Sequence, residues 1–173
     1  MFEPRFTISP ATATALMAIE ADRQVIMELP INVDVLAGLR ETARLAATHY
    51  STQIEGNRLT LPQVAEALAG NHFPGRERDE AEVRNYYRAL ERIEAAATTP
   101  SPIAEADLQR VHGLVMYGKC TPTPYRPGQN VIREGASGGV VYMPPEASDV
   151  PDLMAGLFDW INTQMDTRKL PAP

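Results

Sequence analysis

The chain has 173 residues, 44% of them hydrophobic, and 16 basic against 22 acidic side chains give a net charge of -6. Enough apolar material is present for one domain with its own core, while scattered bases on an acidic chain exclude generic binding to nucleic acid or to an anionic membrane. No apolar run nears the roughly 18 to 20 residues that span a bilayer, no basic region followed by an apolar block opens the chain, and a lone Cys120 rules out an internal disulfide; the sequence predicts a cytoplasmic protein.

Ser9-Pro10 reads as a helix start, with serine as N-cap and proline in the first turn, followed by Leu16, Ile19, Arg23 and Ile26 at helical spacing as far as Leu29-Pro30. A second helix is predicted from about Asp34, with Leu36, Leu39, Ala43, Ala46, Tyr50 and Ile54 as the stripe that faces the core and Gly56 as its left-handed stop. Thr60-Leu61-Pro62-Gln63 is a capping box that opens a short helix through Val64 and Leu68 to Gly70. From about Asp79 to Ala97, Val83, Tyr86, Tyr87, Leu90 and Ile93 mark an inward side, and Glu80 and Arg84 are spaced for an ion pair on the other side. Thr99-Pro100-Ser101-Pro102 breaks that helix, and Leu108, Val111, Leu114 and Val115 mark the next, stopped by Gly118.

Between Cys120 and Pro145 the helical period gives way to proline and glycine. Two short β-branched stretches there, around a loose Gly135-Ala136-Ser137-Gly138-Gly139 turn, predict a hairpin that must lie on the helices or wait for a partner strand. Ser148-Asp149-Val150-Pro151 starts a last helix with Leu153, Leu157, Trp160 and Ile161 inward. His49, His72 and His112 share no metal-ligand spacing and read as structural, so no metal site is expected. The fold class is all-α with one β-hairpin, in a single helical region.

Ser51-Thr52-Gln53-Ile54-Glu55-Gly56-Asn57 is the stretch that carries chemistry. A carboxylate in the last turn of a helix meets the partial negative charge of the C-terminus and loses about 0.3 to 1 kcal/mol. Glu55 therefore invites a cationic partner, and Ser51, four residues earlier, shares its face.

This stretch matches (S/T)-x-x-x-E-(G/N) and resembles the inhibitory motif of Fic proteins, enzymes that transfer AMP from ATP to protein hydroxyls. Further segments resemble the family in its order: Glu82-Val83-Arg84-Asn85-Tyr86-Tyr87-Arg88-Ala89-Leu90 its next long helix, Tyr125-Arg126-Pro127-Gly128-Gln129-Asn130-Val131-Ile132 the entry to its flap, and Val141-Tyr142-Met143-Pro144-Pro145 with Val150-Pro151-Asp152-Leu153-Met154 the flap exit and following helix. Nothing in the chain reads H-x-F-x-(D/E)-G-N-G-R-x-x-R, the family's catalytic signature, and the similarity stops at Lys169-Leu170-Pro171-Ala172-Pro173.

The resemblance implies a Fic-type fold: residues 1–70 as an N-terminal region with an inhibitory helix ending near 57, and residues 79–173 as the first part of a core with a flap hairpin over 129–143. It implies a regulatory set of Ser51, Glu55, Gly56 and Asn57, in which Glu55 reaches an arginine of the catalytic signature and blocks the ATP γ-phosphate site. It also implies a flap whose Val131, Ile132 and Tyr142 dock a target segment by strand addition, with no catalytic residue in this chain. ATP and Mg²⁺ serve the complete enzyme, and neither is expected to bind tightly here. The expected partners are a protein substrate with a hydroxyl side chain, the missing catalytic half or a continuation of the chain, and further copies of the chain through uncovered apolar surface. An antitoxin-like protein that supplies Glu55 to a separate Fic enzyme, and an enzyme that removes AMP, remain as alternatives.

Overall fold

The computed structural model describes residues 2–99 and 101–166; the Pro100 part of the predicted break and the Lys169–Pro173 stretch lie outside them. Among the described residues the order is α1 (Pro10–Glu28), α2 (Val33–Ile54), α3 (Leu61–Leu68), α4 (Glu77–Ala97), α5 (Glu105–Tyr117), β1 (Ile132–Arg133), β2 (Val140–Tyr142), a 3-10 turn (Ala147–Asp149) and α6 (Val150–Asp166). The fold is mainly helical with one antiparallel two-stranded hairpin.

Local signals act where the sequence puts them. The Ser9 hydroxyl accepts the Thr12 amide at 3.1 Å, the Thr60 amide donates to Gln63 Oε1 at 3.0 Å, and Gly56, Gly70 and Gly118 turn out of their helices at φ of 92°, 95° and 66°. Inside α5, Gly113 has a different reason to lack a side chain: a Cβ there would run into the carbonyl oxygens of Thr121 and Lys119, so the returning chain lies directly on the helix.

The core sits where α2, α3 and α4 meet, on Leu59, Val64, Ala67 and Val83, with Leu45, Leu68 and Phe73 around it. Polar side chains are buried beside it: Thr48, His49, Thr52, Asn57, Asp79 and Glu80. Thr48 and Thr52 satisfy their hydroxyls on the carbonyls of Arg44 and Thr48, one turn back. Arg44 crosses to α4, where it meets Glu94 and the Tyr87 hydroxyl.

Several assignments of side, inward and outward, are corrected. Most of the α2 stripe does not face the core: Leu39, Tyr50 and Ile54 are 55%, 59% and 84% exposed and Ala43 is exposed, while Leu36 and Ala46 are half-buried, and the buried face runs through Leu45, Thr48, His49 and Thr52. The Glu80–Arg84 pair forms at 2.7 Å, but Glu80 is almost wholly buried, because it also accepts the Phe73 amide at 2.6 Å and His72 Nδ1 at 3.0 Å. Arg84 bridges on to the Ala67 carbonyl at 3.1 Å, at the electronegative end of α3, so the pair ties two helices together instead of lining a wet face. Ile93 and Leu153 are likewise exposed, while Phe158 is the buried residue of α6.

At the other end, the Asn162 amide group exchanges two hydrogen bonds with the Ile103 backbone, at 2.8 and 3.0 Å, and holds α6 beside the entry to α5. Phe2 packs edge-on against Trp160, ring centres 5.4 Å apart. Helix α1 buries none of its residues. No helix among the described residues is long and apolar enough to cross a membrane.

Candidate regulatory helix end and flap

Helix α2 closes on Glu55, with φ of -84° and ψ of 6°, and the chain turns away at Gly56. The next residue fastens this end. Asn57 is buried; its Nδ2 donates to the Asp79 carbonyl at 2.9 Å and to Glu82 Oε2 at 2.8 Å, and its Oδ1 accepts the Leu59 amide at 3.1 Å. Asp79 and Glu82 belong to the start of α4, so the negative end of α2 and the positive end of α4 are stitched together by one side chain. Ser51 is half-buried and accepts the Tyr86 hydroxyl at 3.0 Å, a second tie from α2 to α4.

Glu55 is left out of this network. Its side chain is exposed and makes no hydrogen bond or ion pair with a described residue, and α2 has no basic residue in its last turn. The structure thus separates the four predicted regulatory residues: Ser51 and Asn57 face α4, while Glu55 and Gly56 face out. A fixed, unpaired carboxylate at a helix C-terminus can receive a guanidinium by a directional, bidentate bond.

Glu80, one turn into α4, differs in every respect. The Phe73 amide, then Arg84, hold its carboxyl well below the usual carboxylate range, at about 2, against the cost of burial. Three donors inside the fold already hold this buried carboxylate.

The hairpin is narrower than 129–143. Ile132 pairs with Tyr142 and Arg133 with Val140, with an irregularity between them, and Gly138 takes a left-handed φ of 68° in the turn. Val131, Ile132 and Tyr142 are 37%, 58% and 54% exposed, so all three stand where an added segment could meet them. Side chains clamp the hairpin at both ends: at the base Arg126 donates to the Pro145 carbonyl, to the Gly128 carbonyl at 3.0 Å and to Gln129 Oε1 at 3.0 Å, while Gln129 Nε2 donates to the Pro144 carbonyl at 2.8 Å, and at the turn Arg133 Nη1 donates to the Gly138 carbonyl at 2.9 Å. Among the described residues the two strands pair only with each other, and their outer edges offer unpaired backbone donors and acceptors.

Sequence reasoning missed the anchoring roles of Tyr86, Arg126 and Gln129. The last two stand three apart inside the segment that resembles the flap entry, a legible signal; Tyr86 lies 35 residues from Ser51 and gave none. His112 Nδ1 shares a hydrogen with the Thr123 hydroxyl at 2.8 Å, and His49 is buried with Nδ1 unpartnered.

Among solved structures, the chain is similar to a Fic family protein from Desulfovibrio desulfuricans G20, with a TM-score of 0.68 and 30% identity over 92% of this chain and 47% of that one. It has a Fic-like fold. The chain spans about half the length of that Fic protein. No family model matches it, and no curated protein does.

Proposed function

We propose that this chain is the regulatory and target-docking portion of a Fic-type adenylyltransferase, a member of the Fic family that carries its inhibitory helix in the same chain. In this reading the Glu55 carboxylate pairs with an arginine of the catalytic signature and takes the place that the ATP γ-phosphate needs. ATP is the substrate: a target Ser, Thr or Tyr hydroxyl gives its proton to a base and attacks the α-phosphorus, the bond to the β-phosphate breaks, and pyrophosphate leaves. In this reading the groups that do this chemistry lie outside this chain. The flap adds the target segment as a strand, so recognition rests on main-chain hydrogen bonds and tolerates varied side chains.

One observation carries the reading: Glu55 is exposed and unpaired at the end of a helix that Asn57 and Ser51 fasten to α4 on the opposite side. An incidental surface glutamate would not require such an anchored support. The flap favours a docking enzyme portion over an antitoxin-like chain, which has no use for a target edge.

The test is a chimera in which this chain replaces the matched region of the Desulfovibrio protein. Loss of a charged, bidentate pair worth about 1.5 to 3 kcal/mol predicts that Glu55→Gly raises self-modification with ATP by about 10- to 100-fold, and Glu55→Asp by less. Equal incorporation by the parent and Glu55→Gly refutes the regulatory assignment. The 173-residue chain by itself is expected to neither transfer AMP nor bind Mg-ATP saturably in calorimetry; turnover from it would overturn the reading.

A further inference from the structure

We infer that Arg126, with Gln129 as its relay, is a positioning residue that sets the flap against the helical body and so aligns the edge on which a target segment docks. The inference rests on the proposed function and names the residue that controls this docking.

The backbone cannot hold the base of this hairpin. Ile132 pairs with Tyr142, so a continued ladder would set Asn130 and Gln129 against Pro144 and Pro145. Proline has no N–H to give, and both residues on the exit side are prolines. Their carbonyls take donors from side chains instead: Arg126 reaches Pro145, and Gln129 Nε2 reaches Pro144 at 2.8 Å. The two form one device. Arg126 Nη1 donates to Gln129 Oε1 at 3.0 Å, and because an arginine can only donate, it fixes which end of that amide is oxygen and turns the nitrogen to Pro144.

Entry and exit are anchored differently. On the entry side the Thr123 amide donates to the Gln109 carbonyl at 3.3 Å, the Thr123 hydroxyl shares a hydrogen with His112 Nδ1 at 2.8 Å, and the backbone at Thr121 lies against Gly113, all three partners being residues of α5. On the exit side, Pro144 and Pro145 are held by Gln129 and Arg126 alone among the described residues. Arg126 is half-buried at the edge of a cleft between α5, at Leu108 and His112, and the start of α6, at Val150 and Met154. One guanidinium thus joins the fixed entry to the exit where both meet the helices. Its planar fork serves Pro145, Gly128 and Gln129 at once, which an ammonium on a flexible stem does not. Without it the strands still pair, but their edge swings on the entry segment, and a target hydroxyl no longer arrives in one place.

Arg126→Ala removes the hub, whereas Gln129→Glu, at an exposed position, keeps the acceptor for Arg126 and loses the donor to Pro144. In the 173-residue chain carrying Cys120→Ser, spin labels attached through Ala136→Cys in the turn and Arg92→Cys on α4 read the distance from flap to helices. The parent should give a narrow distance distribution, Arg126→Ala one several times broader, and Gln129→Glu one in between. Amide exchange should find Glu134 and Gly138, bonded within the hairpin, equally protected in all three. In the Desulfovibrio chimera freed by Glu55→Gly, Arg126→Ala should raise KM for an unstructured peptide rich in threonine and tyrosine by about 10-fold or more, Gln129→Glu by less, with Mg-ATP affinity unchanged. A narrow distribution in Arg126→Ala, a parent as broad as that variant, or a loosened flap with an unchanged peptide KM overturns the inference. Nucleotide affinity that weakens in step with the peptide KM overturns it too, since a positioned edge acts on the target alone. A parent chimera that transfers no AMP refutes the proposed function, and the spin labels then decide by themselves whether Arg126 fixes the flap. Should Arg126→Ala not fold, Gln129→Glu carries both measurements, and its identity with the parent in both overturns the inference.

Discussion

The end of α2 and the hairpin, both of which we propose present groups to a partner, are built in opposite ways. Around Glu55 the support is largely buried and polar: Asn57 makes three hydrogen bonds, Tyr86 holds Ser51, and Arg84, paired with Glu80, ties α4 to α3. Along the hairpin every strand residue is exposed, and a few side chains fix it only at its two ends, Arg126 and Gln129 at the base and Arg133 at the turn. An ionised side chain that must meet one guanidinium needs a rigid mount, because bidentate geometry tolerates little displacement. A strand edge needs the reverse, since it completes its backbone bonding only when another segment arrives.

If this contrast is right, stability responds sharply at one place and hardly at all at the other. Asn57→Ala leaves buried backbone and carboxylate groups without a donor and should cost about 2 to 3 kcal/mol, lowering the melting temperature by roughly 5 to 10 °C. A change below about 0.5 kcal/mol in thermal unfolding would show that the mount is not fastened as described.

Acid sharpens the same point. The folded state holds Glu80 ionised down to about 2, whereas an unfolded glutamate protonates near 4.3. Its contribution is therefore present above about pH 4.3 and lost as the pH falls from there through about 2. Glu80→Gln should flatten that part of a stability-against-pH curve measured by thermal unfolding.

The smallest expected stability effect lies in the flap. Ile132→Pro removes an amide donor from an exposed two-stranded hairpin and should shift unfolding of the 173-residue chain by less than about 0.5 kcal/mol. In the chimera it should abolish transfer to a protein target and leave nucleotide affinity intact. Loss of both activities together would mean that the hairpin holds the fold and does not merely present an edge.

By itself the sequence determined what is local. Ser9, Thr60 and Gln63 cap because side chain and amide are three residues apart, Gly56 and Gly118 stop helices because they alone adopt positive φ cheaply, and the glycine-rich turn between β-branched stretches makes a hairpin. It also put Ser51, Glu55, Gly56 and Asn57 at a helix end. What it could not decide is which side of a helix is inside. The α2 stripe was apolar and the α4 face of Glu80 and Arg84 was charged, so hydrophobic periodicity assigned them to core and solvent; the tertiary structure reverses both. Periodicity reports that a side will be covered and not by what, and a charged pair can be interior when an amide, a histidine and a guanidinium converge on one carboxylate. Those partners lie on separate segments, and only the packed chain brings them within a hydrogen bond.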